Sequence, residues 1–389
     1  MKKLLFFFTF ICLTSFANAQ WQTCGPGNSM VCIAIKDTNI FVAGFGEVFS
    51  STNNGNSWNA IDTGLSNSFV TTLAVKGTKI FAGTGIHGIY VSSDYGESWT
   101  QVNTGLTDTS ITALAVHDSI IFAGTYSAGI FLSTNNGASW SAVNNGLTNT
   151  NIKTLAINGS NIYAGTSYFN GGVFFSTNNG TNWTLINNGL PSDDIRSLAI
   201  SGANIFAGYT SRGVFLSTNS GVNWGQVNIG LTDTNIRSLA VYGSKIFAGT
   251  VESLFISNIN GVNWSEFSDG FVGTVTVRGI ATNDTYIFAT SSSGGNGVWK
   301  RKLSDITGIT KINDSDQFSI YPNPATNNIT IESQQKSSLE ILNIQGQTIL
   351  KQELRQEKTD IDISGLAEGV YILRLLSNDK TAVTKIVKE

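Results

Sequence analysis

Six times, at intervals of 41, 41, 43, 41 and 40 residues, the chain leaves a polar turn through a tryptophan: Trp58, Trp99, Trp140, Trp183, Trp224 and Trp264. A period near forty means that the chain is built from copies of one supersecondary unit, none of which can bury its apolar face alone. Gly129 to Trp140 shows the unit most clearly, as an alternating apolar run, a Ser-Thr-Asn-Asn-Gly turn and an anchoring Trp. That order of parts describes a β-hairpin whose exit is held in a core. Upstream in each copy stand Ile-x-x-Leu-Ala-Val, a short polar turn and Ile-Phe-Ala-Gly-Thr, so one unit reads as four short antiparallel strands.

The number of units follows from two aromatic positions. The second strand carries Phe41, Phe81, Phe122, Tyr163, Phe206, Phe247 and Phe288, and the third Phe49, Tyr90, Phe131, Phe174, Phe215, Phe255 and Trp299. Both give seven, whereas the fourth-strand Trp follows a hairpin only six times. The missing copy is Trp21, which precedes the first inner strand as the other Trps precede theirs. An N-terminal strand lent to the last unit closes a ring and removes its open edges. The expected fold is therefore all-β, a seven-bladed β-propeller over residues 20–305 with its N-terminal strand completing blade seven. A right-handed β-helix or open solenoid is the alternative, but the terminal units have no polar cap.

Residues 1–19 do not belong to that fold. Lys2 and Lys3, the apolar run from Leu4 to Phe16 and Ala17-Asn18-Ala19 have the order of a secretory signal peptide, and the run is too short to span a bilayer. No later stretch is apolar for long enough, so the mature chain should hold no transmembrane segment. Cys24 and Cys32 remain after cleavage, and an oxidising compartment would permit, without requiring, a disulfide between them. Two thiols and two distant His residues make no zinc set, and no metal or cofactor is expected. Charged residues are only 13% and the net charge is −3, which gives no electrostatic case for nucleic acid.

The hairpin turn resembles the Asp box of BNR (bacterial neuraminidase) repeats, Ser-x-Asp-x-Gly-x-Ser/Thr-Trp. Ser92 to Trp99 fits at every position around Asp94; Asn53, Asn135, Asn178 and Asn219 replace the Asp elsewhere, and Ile259 abandons it. Asn can still bond the turn amides and Ile cannot, so the sixth turn should be the loosest. The turns have too few carboxylates for calcium. In sialidases, sortilin-type receptors and xyloglucanases the box is structural and lies away from the ligand, so the resemblance implies a fold and no activity.

The repeat ends near Asp305. Residues 306–316 read as a linker, and 317–389 alternate in short strands suited to a small Ig-like β-sandwich. Tyr321-Pro322-Asn323-Pro324, the Gln345-Gly346 turn, Gly369-Val370-Tyr371 and the terminal stretch with Lys385 and Lys388 resemble the type A C-terminal sorting domain of Bacteroidetes type IX secretion. The resemblance implies that the secretion machinery is a partner, that the protein is secreted or attached to the outer-membrane surface, and that this domain acts as an address often removed after export.

Catalytic signatures are sparse. His87 and His117 should lie on opposite faces of the ring, and Gly83-x-Gly85-x-x-Gly88 joins antiparallel strands without opening a helix, so neither a Ser-His-Asp set nor a dinucleotide site results. A sialidase-like enzyme or other secreted glycoside hydrolase is the alternative to a binding or adhesion module. Arg196, Arg237 and Arg278 share one repeat position, but the Arg-Ile-Pro motif and Tyr-Glu pair of sialidases are missing. That shared position, the second residue of the inner strand, runs Val31, Thr71, Thr112, Lys153, Arg196, Arg237, Arg278. Four consecutive blades thus set a cation at the channel mouth. Loops on the same face add Tyr126, Tyr168, Phe169, Tyr209 and Arg212. Guanidinium pairs with carboxylate or sulfate and rings stack on sugars, so this face is expected to take an acidic glycan or a protein surface.

Overall fold

The computed structural model describes residues 20–65, 68–167, 170–293, 297–307, 318–333, 337–343, 347–377 and 380–389. The signal segment, Tyr168, Phe169, most of the 306–316 stretch and the Gln345-Gly346 turn lie outside the described residues. Contacts divide the chain into two units, which meet in sequence between Arg301 and Lys302.

The first unit consists of seven four-stranded antiparallel sheets. Six are made from consecutive strands, beginning with the inner strands Met30–Lys36, Val70–Lys76, Ile111–His117, Ile152–Asn158, Ile195–Ser201 and Ile236–Tyr242. The seventh takes Val277–Thr282, Tyr286–Ser291 and Val298–Lys302, then the N-terminal strand Gln22–Thr23 as its outermost member. Gln22 pairs with Lys300 and Thr23 with Trp299. Second strands such as Lys79–Thr84 and Ile120–Thr125 are buried from their second residue onward. A strand covered on both faces can afford a continuous apolar run, which explains why Ile-Phe-Ala-Gly recurs without polar alternation.

Inner strands adjoin in sequence order, and Val277–Thr282 adjoins Met30–Lys36. The tryptophans repeat the same circuit as hydrogen bonds. Trp58, Trp99, Trp140, Trp183, Trp224 and Trp264 donate their indole N–H to the carbonyls of Cys24, Ile61, Val102, Val143, Ile186 and Val227, each at the outer strand of the preceding sheet. Trp21 donates to the Phe267 carbonyl at 2.8 Å, so the series comes back to the seventh sheet. Burial of the ring and satisfaction of its one polar atom explain why Trp recurs here. Trp58 alone of the six is half-buried. Lys300 adds a second tie, its Nζ donating to the Asn54 carbonyl (2.9 Å) and Asn56 Oδ1 (2.6 Å) of the first sheet's turn.

The turns themselves are wired alike in five copies. Ser51, Ser92, Ser133, Ser176 and Ser217 donate to the side-chain oxygen of Asn53, Asp94, Asn135, Asn178 and Asn219, and accept from the N–H of the turn glycine. The residue before that glycine has positive φ in all five, between 53° at Asn179 and 60° at Tyr95, a conformation that the three Asn among them tolerate at low cost. In the sixth copy Ser257 instead donates to the Asn263 carbonyl, and Ile259 packs partly buried against the core. Ile259 cannot make the Asx bonds of the other copies, and the neighbouring Asn260 Oδ1 instead accepts from the Val262 N–H at 3.3 Å.

The disulfide that the sequence permits is not formed: Cys24 and Cys32 are free thiols. Cys24 follows the outermost strand of sheet seven, bonded from its N–H to Val298, whereas Cys32 lies on the innermost strand of sheet one with its Sγ on the Ala43 carbonyl. Burial pushes both thiols up to about 12, so they stay protonated and unreactive at neutral pH.

The second unit holds two antiparallel sheets, one of Phe318–Tyr321, Asn328–Ser333 and Lys358–Asp362, the other of Thr348–Leu354, Ser337–Leu342, Gly369–Ser377 and Lys380–Lys388. Ile329, Ile331 and Ile361 from one sheet and Leu339, Ile341, Leu373, Leu375 and Ile386 from the other form a single core. Residues of the Tyr-Pro-Asn-Pro motif meet the last strand: Asn323 Oδ1 accepts from the Val387 N–H at 2.9 Å, and Ala325 exchanges backbone bonds with Val387 and Glu389. Tyr371 is buried with its hydroxyl on the Ala367 carbonyl. Lys388 pairs in register with Gly369 and is also largely buried.

Candidate functional site

The second residue of every inner strand occupies a β-bulge. Pairing with the second strand slips between Met30 and Cys32, Val70 and Thr72, Ile111 and Ala113, Ile152 and Thr154, Ile195 and Ser197, Ile236 and Ser238, and Val277 and Gly279. The skipped residues are Val31, Thr71, Thr112, Lys153, Arg196, Arg237 and Arg278, one per sheet. A bulge re-aims a side chain that the pleat would otherwise point into a neighbouring sheet. Thr71 and Thr112 use that freedom to donate to the next sheet's carbonyls, of Ile111 and Ile152, at 2.6 Å.

In sheets five to seven the bulge residue is arginine. Arg237 is electrostatically coupled to both Arg196 and Arg278, and Arg278 to Arg196, so the three guanidiniums form one cluster. Burial first, and the like charges second, lower the pKa of Arg237 and Arg278 from the usual arginine value. Arg196 lies 3.8 Å from Asp194, while Arg237 and Arg278 make no ion pair among the described residues. Nε of Arg196 donates to Thr210 Oγ1 and Nε of Arg278 to Ser292 Oγ, both at 2.9 Å.

The loops that enter the inner strands and those after the second strands share one edge. The N–H groups of Gly85, Tyr126, Ser167, Thr210 and Ser292 donate to the carbonyls of Phe69, Ser110, Asn151, Asp194 and Thr276 across that edge. Of the aromatic residues expected there, Tyr126 is 43% exposed, with Lys153 Nζ 5.1 Å from its ring centre. Tyr209 is not on the surface. It replaces the Thr that ends the second strand in sheets two, three, four and six, its side chain runs inward against Phe215, and it is fully buried with its hydroxyl on the Pro191 carbonyl. It therefore cannot serve as a stacking platform. Arg212 is half exposed and committed to Asp193 at 2.7 Å, away from the bulge position.

Two features escaped the sequence reading. Thr210 and Ser292, which hold two of the arginines, stand fourteen residues after them, an offset that continuing the repeat alignment past the second strand would have found. The same column places Phe45 in sheet one, 68% exposed and stacked on Phe69 with ring centres 4.4 Å apart. The edge therefore carries an aromatic pair at sheets one and two and the arginine cluster at sheets five to seven. Ser68 and His87 also meet, Oγ to Nδ1 at 2.8 Å. Ser68 is buried and no carboxylate pairs with His87 among the described residues, so the contact lacks the exposed nucleophile and orienting acid of a hydrolytic triad. No group of three metal-ligating side chains occurs among the described residues, and none of their helices is long and apolar enough to cross a membrane.

The topology and the site define an all-β repeat protein with a propeller-like first unit, followed in sequence by a separate β unit. Residues 319–389 match the family described as the secretion system C-terminal sorting domain. This tail marks the chain for type IX secretion to the cell surface or medium, with the secretion machinery as its partner. No curated protein is similar enough over the chain to count as a relative. Among solved structures, PorZ, a surface component of the type IX secretion system of Porphyromonas gingivalis, is similar at TM-score 0.58 and 13% identity, over 93% of this chain and 59% of that one. The GH74 xyloglucanase of Xanthomonas campestris gives TM-score 0.60 and 14% identity over 80% and 59%. YCF48 of Cyanidioschyzon merolae gives 0.58 and 15% over 73% and 98%. The chain thus spans about three fifths of the first two, and identities this low establish the shared fold alone.

Proposed function

We propose that residues 20–305 form a closed seven-bladed β-propeller that binds and does not catalyse, delivered by a small Ig-like sorting sandwich at residues 317–389. The circuit of Trp hydrogen bonds and the adjoining first and seventh inner strands support closure. The ligand is a carboxylate- or sulfate-bearing glycan taken at the mouth formed by the bulge residues. One observation carries this: three guanidiniums on successive sheets share one cluster, and two of them lack any ion-pair partner among the described residues. Asp194, 3.8 Å from Arg196, and Asp233, which acts on Arg237 without forming an ion pair, offset the three like charges only in part, so an added anion is favoured, and the paired donors of arginine suit planar or tetrahedral oxyanions. Lys153 and Tyr126 extend the surface into sheets three and four.

A glycan array probed with the chain lacking its signal segment tests the reading. Retention of acidic glycans that weakens with salt and is abolished in Arg196→Ala/Arg237→Ala is the expected outcome. Unchanged binding in that double variant would assign the ligand elsewhere, and turnover of a bound glycan would make the protein an enzyme.

A further inference from the structure

Sheet six breaks a pattern that its neighbours keep. Fourteen residues after the bulge cations Lys153, Arg196, Arg237 and Arg278 stand Ser167, Thr210, Val251 and Ser292. Three of the four are hydroxyls, and each is used. Thr210 and Ser292 accept from the arginine of their own sheet, and Ser167 donates to Asn151 Oδ1 at 2.8 Å. Val251 can do neither. In its sheet Arg237 Nε and the Oδ1 of Asn235, which occupies the place of Asn151, are both covered from solvent and have no hydrogen-bond partner among the described residues. One aliphatic residue therefore leaves a donor and an acceptor orphaned two positions apart, beside the guanidiniums of Arg196 and Arg278. A covered polar atom without a partner costs more than a made bond returns, and such a cost persists in a native fold where something else is to be bound.

We propose that Arg237 is the residue of the mouth that a ligand recruits, and that Val251 keeps it available by denying it an internal partner. This rests on the reading of the mouth as an anion site. Arg196 and Arg278 are pinned through Nε and present only the ends of their guanidiniums. Arg237, unpinned, turns toward an arriving oxyanion and makes in the complex the bonds it lacks in the free protein. Its turning also uncovers Asn235 Oδ1, which requires a donor. The ligand must then bring both an oxyanion and a nearby hydroxyl, which a sugar acid or a partly sulfated sugar does and a bare inorganic anion does not.

The experiment compares wild type with Val251→Thr and Val251→Ala, in the full chain without its signal segment, by calorimetric titration of polygalacturonate, dextran sulfate and inorganic sulfate. Threonine restores the hydroxyl of sheet five, so Val251→Thr should raise the thermal midpoint while weakening binding of the preferred polymer about tenfold, whereas Val251→Ala, which adds no hydroxyl, should leave affinity near wild type. Val251→Ser should reproduce the loss if threonine is too bulky to fit. The preferred polymer separates a carboxylate source from a sulfate source. Wild-type affinity in both hydroxyl variants, with binding still abolished by Arg237→Ala, would overturn the role of Val251 and spare the anion site. Binding indifferent to Arg196→Ala/Arg237→Ala, or none to either polymer, would overturn both readings. Inorganic sulfate binding as tightly as the polymers' own anionic units would overturn the need for a hydroxyl.

Discussion

At the scale of single residues, the repeat makes each copy a control for the others. Asp94 is the only acid at the Asp position of the five regular boxes, and its carboxylate accepts from the Ser98 and Ser92 hydroxyls and the Ser98 N–H. The Ser98 hydroxyl first, then that of Ser92, holds it down to about 2 from an ordinary 3.8. A depressed carboxylate stabilises the fold fully above its unfolded pKa, and that contribution is lost as pH falls from near 4 toward 2. Asp94→Asn should therefore fold normally at pH 7, since Asn53 and Asn135 make the corresponding bonds, and should flatten urea stability between pH 4 and 2 relative to wild type. An unaltered pH profile would show the carboxylate bonds to be unimportant. The box tryptophans should separate by burial. Trp140 is 3% exposed, so Trp140→Ala is expected to cost about 3–5 kcal/mol in denaturant unfolding. The half-buried Trp58 should cost visibly less, and equal losses would contradict the burial argument.

At the scale of elements, the joint between the first and last sheets is the place where a ring can fail. Gln22–Thr23 is a two-residue strand, yet Trp21 beside it bonds Phe267 and Asp269 and packs on Phe271, and Gly25 lies too close to Val298 to admit a Cβ. Removing residues 20–28 strips the outer strand from sheet seven and the acceptor carbonyl of Cys24 from Trp58, exposing an edge. Such a truncation should lower the melting temperature well beyond the effect of trimming a loose terminus and should promote association. Wild-type melting would sink the closure reading. This joint was legible in the sequence because the seventh Trp was displaced to position 21 and nowhere else. The strands and turns were legible for a similar reason, since period and turn chemistry are local properties that seven copies repeat. What the sequence did not reveal depended on direction. Tyr209 looked like a loop aromatic, but a position on strand two that holds Thr elsewhere points inward whatever occupies it. The bulge that aims Arg196, Arg237 and Arg278 leaves no mark in composition, and the hydroxyls that hold two of them lie across a loop.

At the scale of the whole molecule, the two units are built on separate cores. Ile329, Leu339, Leu373 and Ile386 belong to a core drawn only from the second unit, and the clusters around the box tryptophans draw only from the first. Two units with separate cores unfold as two cooperative transitions unless an interface couples them. Removal of the sorting unit after export would need that independence, because the cut must leave the first unit folded. The secreted form should therefore be lighter than the encoded chain by the signal segment and roughly the last 73 to 84 residues, a span set by where protease cuts between the units. Intact-mass measurement of protein from the medium or cell surface checks this, and a full-length mature chain held in the periplasm of wild-type cells would contradict it. Calorimetry supplies the second half of the test. Removing residues 306–389 should delete one transition and leave the other near its original temperature, because the clusters around the box tryptophans include none of those residues among the described ones. A first transition that falls by more than about 4 to 8 °C, the shift expected of 1 kcal/mol in a small domain, would mean that the sorting unit also braces the ring it delivers.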